Sequence, residues 1–244
     1  MPALVLAAGG GSRLGGRPKA LLPYRGRLLL EHALATARAG GCDGAVAVLG
    51  AASAEVRAVL GAAAAGSTAA AAATSTADPT TATATGTGAP TATRQYRLVD
   101  NPGWRSGMAS SLRAGLAALP PDATAVLVLL VDTPGVTAEA VRRLLATHTG
   151  RTDLASCAYG GRRAHPVLIG AAHFPFLLAT AAGDAGARAL LASRPVALVD
   201  CTGVAVPDDL DTPADLIRWG IDPTSPAARP EAGPDAGPDN GPNR

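Results

Sequence analysis

Lysine is almost missing from this chain. Of its 21 basic residues only Lys19 is a lysine, and all the others are arginine. Aromatic residues are scarce, with two Trp, three Tyr and two Phe among 244 residues, so a core must be built from Ala, Val and Leu. The three cysteines, Cys42, Cys157 and Cys201, are odd in number and far apart, with no paired spacing. That gives neither a disulfide framework nor a zinc motif and fits a reducing cytoplasm. No apolar run approaches the roughly 20 residues of a membrane span. The N-terminus lacks a basic region ahead of an apolar stretch, which argues against a signal peptide and for a cytoplasmic location. A net charge of +2, with scattered arginines, argues against a dedicated nucleic-acid binder.

The single lysine stands at the end of Leu4-Val-Leu-Ala-Ala-Gly-Gly-Gly-Ser-Arg-Leu-Gly-Gly-Arg-Pro-Lys19. A short apolar run bounded by glycine reads as a buried strand. A glycine-rich turn directly after such a strand is where an α/β sheet binds a phosphorylated ligand, because the backbone can approach an anion and aim N–H groups at it. A compact ammonium retained against an arginine-rich background points to a place where a guanidinium fork does not fit. The P-loop pattern fails here, since Gly16 is followed by Arg17 and Lys19 by Ala20. The dinucleotide fingerprint also fails, since Leu14 stands where its third glycine would be.

Apolar spacing predicts a helix over Leu28–Ala39, a strand at Ala45–Leu49 and a helix at Ala54–Leu60. Residues 61–93 are almost entirely Ala, Thr, Ser, Gly and Pro, and Asp222–Arg244 is rich in Pro, Gly and Asp; both read as disordered, an insertion and a tail on a domain spanning 1–221. A strand resumes at Arg97. Asn101-Pro-Gly-Trp104-Arg-Ser-Gly107-Met108-Ala-Ser110-Ser111-Leu112 gathers three rare residue types in eight positions, ahead of a helix expected over Ser110–Leu119. Ala125–Val131 is the most hydrophobic run and reads as a central parallel strand. Asp132 closes it, at the ligand crevice of an open α/β sheet or as a cap of the next helix. A helix at Thr137–Thr147 and strands at Asp153–Tyr159 and Val196–Asp200 follow. Pro213 is expected to open the last helix, with Asp211 or Thr212 as its cap.

The glycine stretch, in its order of glycines, arginine and lysine, resembles the N-terminal signature of nucleotidyltransferases with a glycosyltransferase-A-like fold. It is most similar to the MobA-like branch that includes molybdenum cofactor cytidylyltransferase. Four later blocks resemble that family in the same order. These are the Asn101–Leu112 segment, Asp132-Thr-Pro (the family has Asp-Met-Pro), Gly183-Asp184-Ala-Gly186-Ala-Arg188, and Asp208-Asp209-Leu-Asp211-Thr-Pro. Ala164-His165-Pro-Val departs from the family's Gly-His-Pro-Val by one residue. The resemblance implies a three-layer α/β/α, Rossmann-like fold with a mostly parallel sheet. It implies that Leu6, Ala7, Ala8, Gly9, Gly11, Ser12 and Lys19 wrap a nucleoside triphosphate, and that Gly107, Ser110 and Ser111 contact its base. Ala7-Ala8-Gly9 resembles the cytidylyl enzymes and leans toward CTP.

By the same resemblance Arg13, Lys19 and Asp132 are catalytic, and Asp132 with Asp209 or Asp211 holds Mg²⁺. His165, Gly183, Asp184 and Arg188 lie beside the acceptor. The resemblance names that acceptor as a molybdopterin-type cofactor, with a molybdoenzyme as its recipient. A sugar or polyol phosphate as acceptor, and a non-catalytic module delivering nucleotide or cofactor, stay open. His32 and His173 read as structural.

Overall fold

The structure, a computed structural model, describes residues 1–61 and 96–224. Nearly all of the insertion at 61–93 and of the tail at 222–244 lies outside these residues. Strand β1 (Pro2–Ala7) leads through the glycine loop to a small hairpin, β2 (Pro23–Tyr24) and β3 (Arg27–Leu28), and to helix α1 (Leu29–Ala39). Then come β4 (Gly44–Leu49), α2 (53–61), β5 (Tyr96–Asp100), α3 (Met108–Ala117), β6 (Ala125–Leu130) and α4 (Ala138–Leu145). The last third holds β7 (Leu154–Tyr159), β8 (Arg162–Gly170), α5 (Phe174–Thr180), α6 (Arg188–Ser193), β9 (Ala197–Asp200) and α7 (Pro213–Arg218). Seven strands form one sheet in the order β5-β4-β1-β6-β8-β7-β9.

Alternation along the central strands builds the three layers expected from the sequence. Ala3, Val5 and Ala7 of β1 and Ala125, Leu127 and Leu129 of β6 pack on one face, with Leu30 and Leu34 of α1, Val56 of α2, Val141 and Leu144 of α4 and Leu216 of α7. Leu4, Leu6, Val126 and Val128 point to the other face, against Leu112 and Leu116 of α3, Leu177 of α5 and Leu190 of α6. A period of two puts successive side chains on opposite faces, so a strand buried on both sides reads as an unbroken apolar run.

β5, β4, β1 and β6 run parallel. From β1 the chain moves outward to β4 and β5, then returns to the other side of β1 as β6. That reversal makes β1/β6 the topological switch point, and the loops after both strands open onto one crevice. β8 then runs antiparallel to both β6 and β7. The sequence reading assigned no strand here. Gly160 and Gly161, at φ 55° and 77°, close a tight hairpin that turns the chain back at once. Pro166 has no N–H to give to a ladder, and the β7–β8 register passes from Ser156↔Val167 to Cys157↔Ala164, skipping His165 and Pro166. Such an irregularity re-aims a side chain, and here the residue re-aimed is His165. Cys157 and Cys201, unrelated by spacing, meet in the core with their sulfurs 3.1 Å apart, both as free thiols. Burial pushes the Cys157 thiol well above its ordinary range.

His32 Nε2 donates to the Pro134 carbonyl (3.1 Å) and the ring stands edge-on to Tyr24, and His173 Nε2 donates to the Thr152 carbonyl at 3.0 Å; these contacts fit the structural roles expected of both. Among the described residues no helix is long and apolar enough to cross a membrane.

Candidate active site

The glycine loop leaves β1 at Ala8. Gly11 sits at φ 61°, and a Cβ there would lie 1.8 Å from the Arg17 carbonyl oxygen, so only glycine fits this turn. The Gly11 carbonyl accepts from Leu14 N (2.8 Å) and Gly16 N (3.0 Å), which coils the loop into a short 3₁₀ turn pinned by buried Leu14. Among the described residues no protein acceptor takes the N–H groups of Gly9, Gly10, Gly11 and Ser12. A run of unclaimed amides in such a turn is an anion-binding concavity.

A second 3₁₀ turn, Lys19–Leu21, follows. Its Ala20 and Leu21 are buried in the core, which fixes the backbone from which Lys19 projects. The Lys19 ammonium donates to Asp132 Oδ2 at 2.6 Å and to Asp211 Oδ1 at 2.6 Å. These partners are 113 and 192 residues away in sequence. Arg13 Nη1 reaches the other Asp211 oxygen at 3.3 Å. Burial by itself lowers the Lys19 pKa, but the charges and hydrogen bonds of Asp132 and Asp211 outweigh it and hold the ammonium above its ordinary value.

The acidic segment is tied to the end of β6. Leu210 N donates to the Asp132 carbonyl (2.8 Å), and Thr212 caps α7 in a reciprocal capping box with Asp215. Among the described residues Asp209 makes no ion pair. Burial, with Asp132 and Asp211 nearby, raises its pKa to about 6. The sign for stability follows. The folded state binds more protons than the unfolded state between an ordinary aspartate pKa near 4 and about 6, so this residue makes stability fall as pH rises through that window. In metal-free protein, Asp209→Asn flattens that decline in a melting-temperature series from pH 4 to 8; an unchanged slope would remove Asp209 from the account.

Two adjoining cavities share Leu6, Met108, Leu130 and Asp184 as walls. The smaller, about 340 Å³, takes in Ala8, Gly9, Lys19, Trp104, Gly107, Ser111 and Asp132. The larger, about 480 Å³, has Arg163, His165, Arg188 and Asp209 around mostly apolar walls that include Leu112, Val167, Ile169 and Leu191. His165 Nδ1 is buried with no hydrogen-bond partner among the described residues, and burial lowers the pKa of the ring below its ordinary value.

The expected residues divide among these features. Leu6, Ala8, Gly9, Lys19, Gly107, Ser111 and Asp132 line the smaller cavity; Ala7, Gly11, Ser12 and Arg13 do not. Helix α3 starts at Met108, two residues before the expected Ser110. Asn101 Nδ2 donates to both Ser110 Oγ (2.8 Å) and Ser111 Oγ (3.0 Å), and Ser110 passes its own proton to the Gly107 carbonyl. Ser110 is therefore an internal brace, and only Ser111 faces the cavity. His165, Asp184 and Arg188 line the larger cavity, whereas Gly183 is a packing residue. Gly107, at φ 106°, leaves room for the Gly183 carbonyl group, and a Cβ would lie 2.4 Å from the Gly183 carbonyl carbon. Asp184 Oδ1 accepts from Met108 N (3.3 Å), so it caps α3 as well as walling both cavities. Trp104, Arg105, Met108, Thr133 and Arg163 also line the site and were not among the expected contacts. The rarity of Trp104 and Met108 was the available signal for two of them.

Gly107→Ala is expected to lose about 2–4 kcal/mol, from a disfavoured backbone angle plus a backbone clash. Gly9→Ala has open space around its Cβ and stays within about 0.5 kcal/mol of the parent. Urea denaturation of both variants checks this; equal stabilities would show that the Gly107–Gly183 contact does not matter.

Among the described residues no three His, Cys, Asp or Glu side chains converge as a metal cage. Asp132 and Asp211 nevertheless hold one cation between them, the Lys19 ammonium. Two carboxylates completed by phosphate oxygens and water are how Mg²⁺ is usually held, so the donor set fits a hard divalent ion.

Known proteins resemble this chain over most of its length. The family described as "MobA-like NTP transferase domain" matches residues 3–198. A curated relative, nicotine blue oxidoreductase of Paenarthrobacter nicotinovorans, is 39% identical over 225 residues, covering 88% of this chain and 94% of its own. Among solved structures, Rv0371c of Mycobacterium tuberculosis H37Rv is 30% identical with a TM-score of 0.66, over 89% of this chain and 96% of its own. A manganese complex of the same protein superimposes with a TM-score of 0.60 at 28% identity over the same shares. A nucleotidyl transferase from Methanothermobacter thermautotroptrophicus, 21% identical with a TM-score of 0.65, covers 89% of this chain and 94% of its own and shares the fold.

Proposed function

The chain belongs to the MobA-like NTP transferase family, a family of nucleotidyltransferases, and on that premise we propose that it moves CMP from CTP onto the terminal phosphate of a molybdopterin-type acceptor, releasing pyrophosphate. One observation carries the reading. A cavity that takes in Lys19, Asp132 and Gly9, the first of the unclaimed amides, shares its wall with a second cavity whose sides are mostly apolar and whose cations are Arg163 and Arg188. The first suits a polyanion. The second has apolar faces at Leu112, Val167 and Ile169 against which a flat ring can lie, and Arg163 and Arg188 for a phosphate tail; a polyol has no flat face to use there.

The acceptor phosphate is already an anion and attacks the α-phosphorus without a strong general base. What the site supplies is alignment and charge neutralisation. The amides of Gly9–Ser12 hold the triphosphate, Lys19 neutralises charge passing to the leaving pyrophosphate, and Ser111 offers a hydroxyl to the base. Arg163 and Arg188 draw the acceptor phosphate toward the shared wall. Asp132 and Asp211 would hold Mg²⁺ or Mn²⁺, which when bound adds Lewis-acid stabilisation of the phosphoryl oxygens.

Purified protein with a divalent ion and each of CTP, GTP, UTP and ATP, with and without molybdenum-loaded molybdopterin, is the test, read as pyrophosphate release. Release with CTP only when the pterin is present is the expected result. Release confined to GTP overturns the choice of base. Silence throughout overturns the molybdopterin-type acceptor and leaves a sugar or polyol phosphate, or a non-catalytic delivery role.

The named oxidoreductase favours a second reading, in which the smaller cavity takes a reduced nicotinamide nucleotide and the larger an aromatic quinonoid acceptor. Hydride would pass to the conjugated ring and a proton to its oxygen. Oxidation of NADH or NADPH dependent on nicotine blue separates the two readings in one cuvette.

A further inference from the structure

Lys19 stands between the two carboxylates proposed to hold the metal. Its ammonium is 2.6 Å from one oxygen of Asp132 and 2.6 Å from one oxygen of Asp211, and the side chain is only 14% exposed. The same lysine lies a few residues downstream of the anion-binding amides, on a backbone fixed by buried Ala20 and Leu21 and with a flexible four-carbon stem above it. Two sets of anions are therefore within reach of one tethered cation, the carboxylates and a bound phosphate chain. In the free protein the carboxylates have it. Lys19 and Arg13 together balance Asp132 and Asp211. A divalent ion entering alone adds two positive charges beside two already present, while a triphosphate supplies the negative charge that makes room for both.

We infer that Lys19 is a tethered occupant of the divalent-cation site. The free protein holds its own ammonium there, and the triphosphate draws that ammonium onto its phosphates and frees Asp132 and Asp211 for the metal. Metal and nucleotide consequently bind as a coupled pair, each tightening the other by the same factor. The inference rests on the nucleotidyl-transfer reading, because it needs a polyanion in the glycine loop. It adds that this protein carries no resident metal between turnovers and that the lysine, not a metal, pairs with Asp132 and Asp211 in the free protein.

The chain's composition provides the probe. Protein labelled with [ε-¹³C]lysine gives one lysine side-chain resonance, because Lys19 is the only lysine. The full-length protein is titrated with Mg²⁺ alone, with inorganic tripolyphosphate, and with Mg²⁺ plus α,β-methylene-CTP. Mg²⁺ alone at millimolar concentration is expected to leave the resonance in place, and either polyanion to shift it. In parallel, free Mn²⁺ is counted by electron paramagnetic resonance. Wild-type protein is expected to bind Mn²⁺ at least tenfold more tightly with the CTP analogue than without. Lys19→Met is expected to gain at least tenfold in Mn²⁺ affinity without nucleotide and to lose most of the coupling. Asp211→Asn, which keeps Lys19 in place, is expected to weaken Mn²⁺ binding in the ternary complex.

A Lys19→Met protein that binds Mn²⁺ no better than wild type, or a resonance that moves with Mg²⁺ alone, overturns the inference and leaves nucleotidyl transfer standing. A resonance indifferent to both tripolyphosphate and the CTP analogue overturns the inference and the transferase reading together.

Discussion

Lys19→Ala lowers turnover by a factor on the order of 10²–10³, the range found when one preorganised donor to developing negative charge is lost. The ammonium is the only cation of the glycine loop that lines the smaller cavity, since Arg13 is three-quarters exposed and faces Asp211. Lys19→Arg does not restore the rate. A planar fork cannot take the place of a point charge held between two carboxylates at 2.6 Å and then swing to a phosphate. The measurement is steady-state pyrophosphate release, with a melting curve to confirm that the variant is folded. Near-normal turnover in Lys19→Ala would remove the residue from the chemistry. The combination expected is unusual, because the variant that turns over slowest binds a divalent ion in the free state most tightly.

Asp132→Asn has the second large effect, also on the order of 10² or more in turnover, because it deletes one of the two charges available to a metal without changing the shape of the residue. The three acids are expected to rank. Asp132 has the largest effect, being fixed at the end of β6 with only 22% of its side chain exposed. Asp211 follows, at 40%, and Asp209, which pairs with no cation among the described residues, comes last. A ligand-binding group on a strand end is positioned more tightly than one on a connecting segment. The ranking is read from kcat at saturating metal. If Asp209→Asn falls as far as Asp132→Asn, the metal assignment passes from Asp211 to Asp209.

The layers were legible because they rest on local periodicity. The run at Ala125–Val131 and the spacing over Leu28–Ala39 mark a doubly buried strand and a helix, and the structure places them at Ala125–Leu130 and Leu29–Ala39. Thr212 and Pro213 announced α7 for an equally local reason, a side-chain cap followed by a residue that needs no N–H donor partner. β8 went unread because its apolar half follows two glycines, two arginines and a proline, and its first half pairs irregularly.

The site was legible by type and not by arrangement. Motif order singled out Lys19, Asp132 and the pair Asp209 and Asp211, without choosing between the last two. Their convergence on one ammonium depends on β1 and β6 being neighbours and on Leu210 bonding the Asp132 backbone, neither of which has a signature along the chain. The same limit hid the contact between Cys157 and Cys201. It also gave no sign that Asn101 holds Ser110.

The reversed strand β8 has a further meaning. On one side of the β6–β8 ladder the site is made by loops that follow parallel strands, and every one of them is a fixed part of the crossover that builds the sheet. On the other side Arg163 and His165 sit at the start of a hairpin strand, next to a two-glycine turn that carries no crossover. The seam between β6 and β8 thus separates a half whose form is dictated by the sheet from a half that can be rewritten without rebuilding it. A scaffold divided in this way can keep one way of holding a nucleotide while exchanging the molecule that meets it. Chains as alike as this one and its relatives can accordingly carry names from different classes of chemistry.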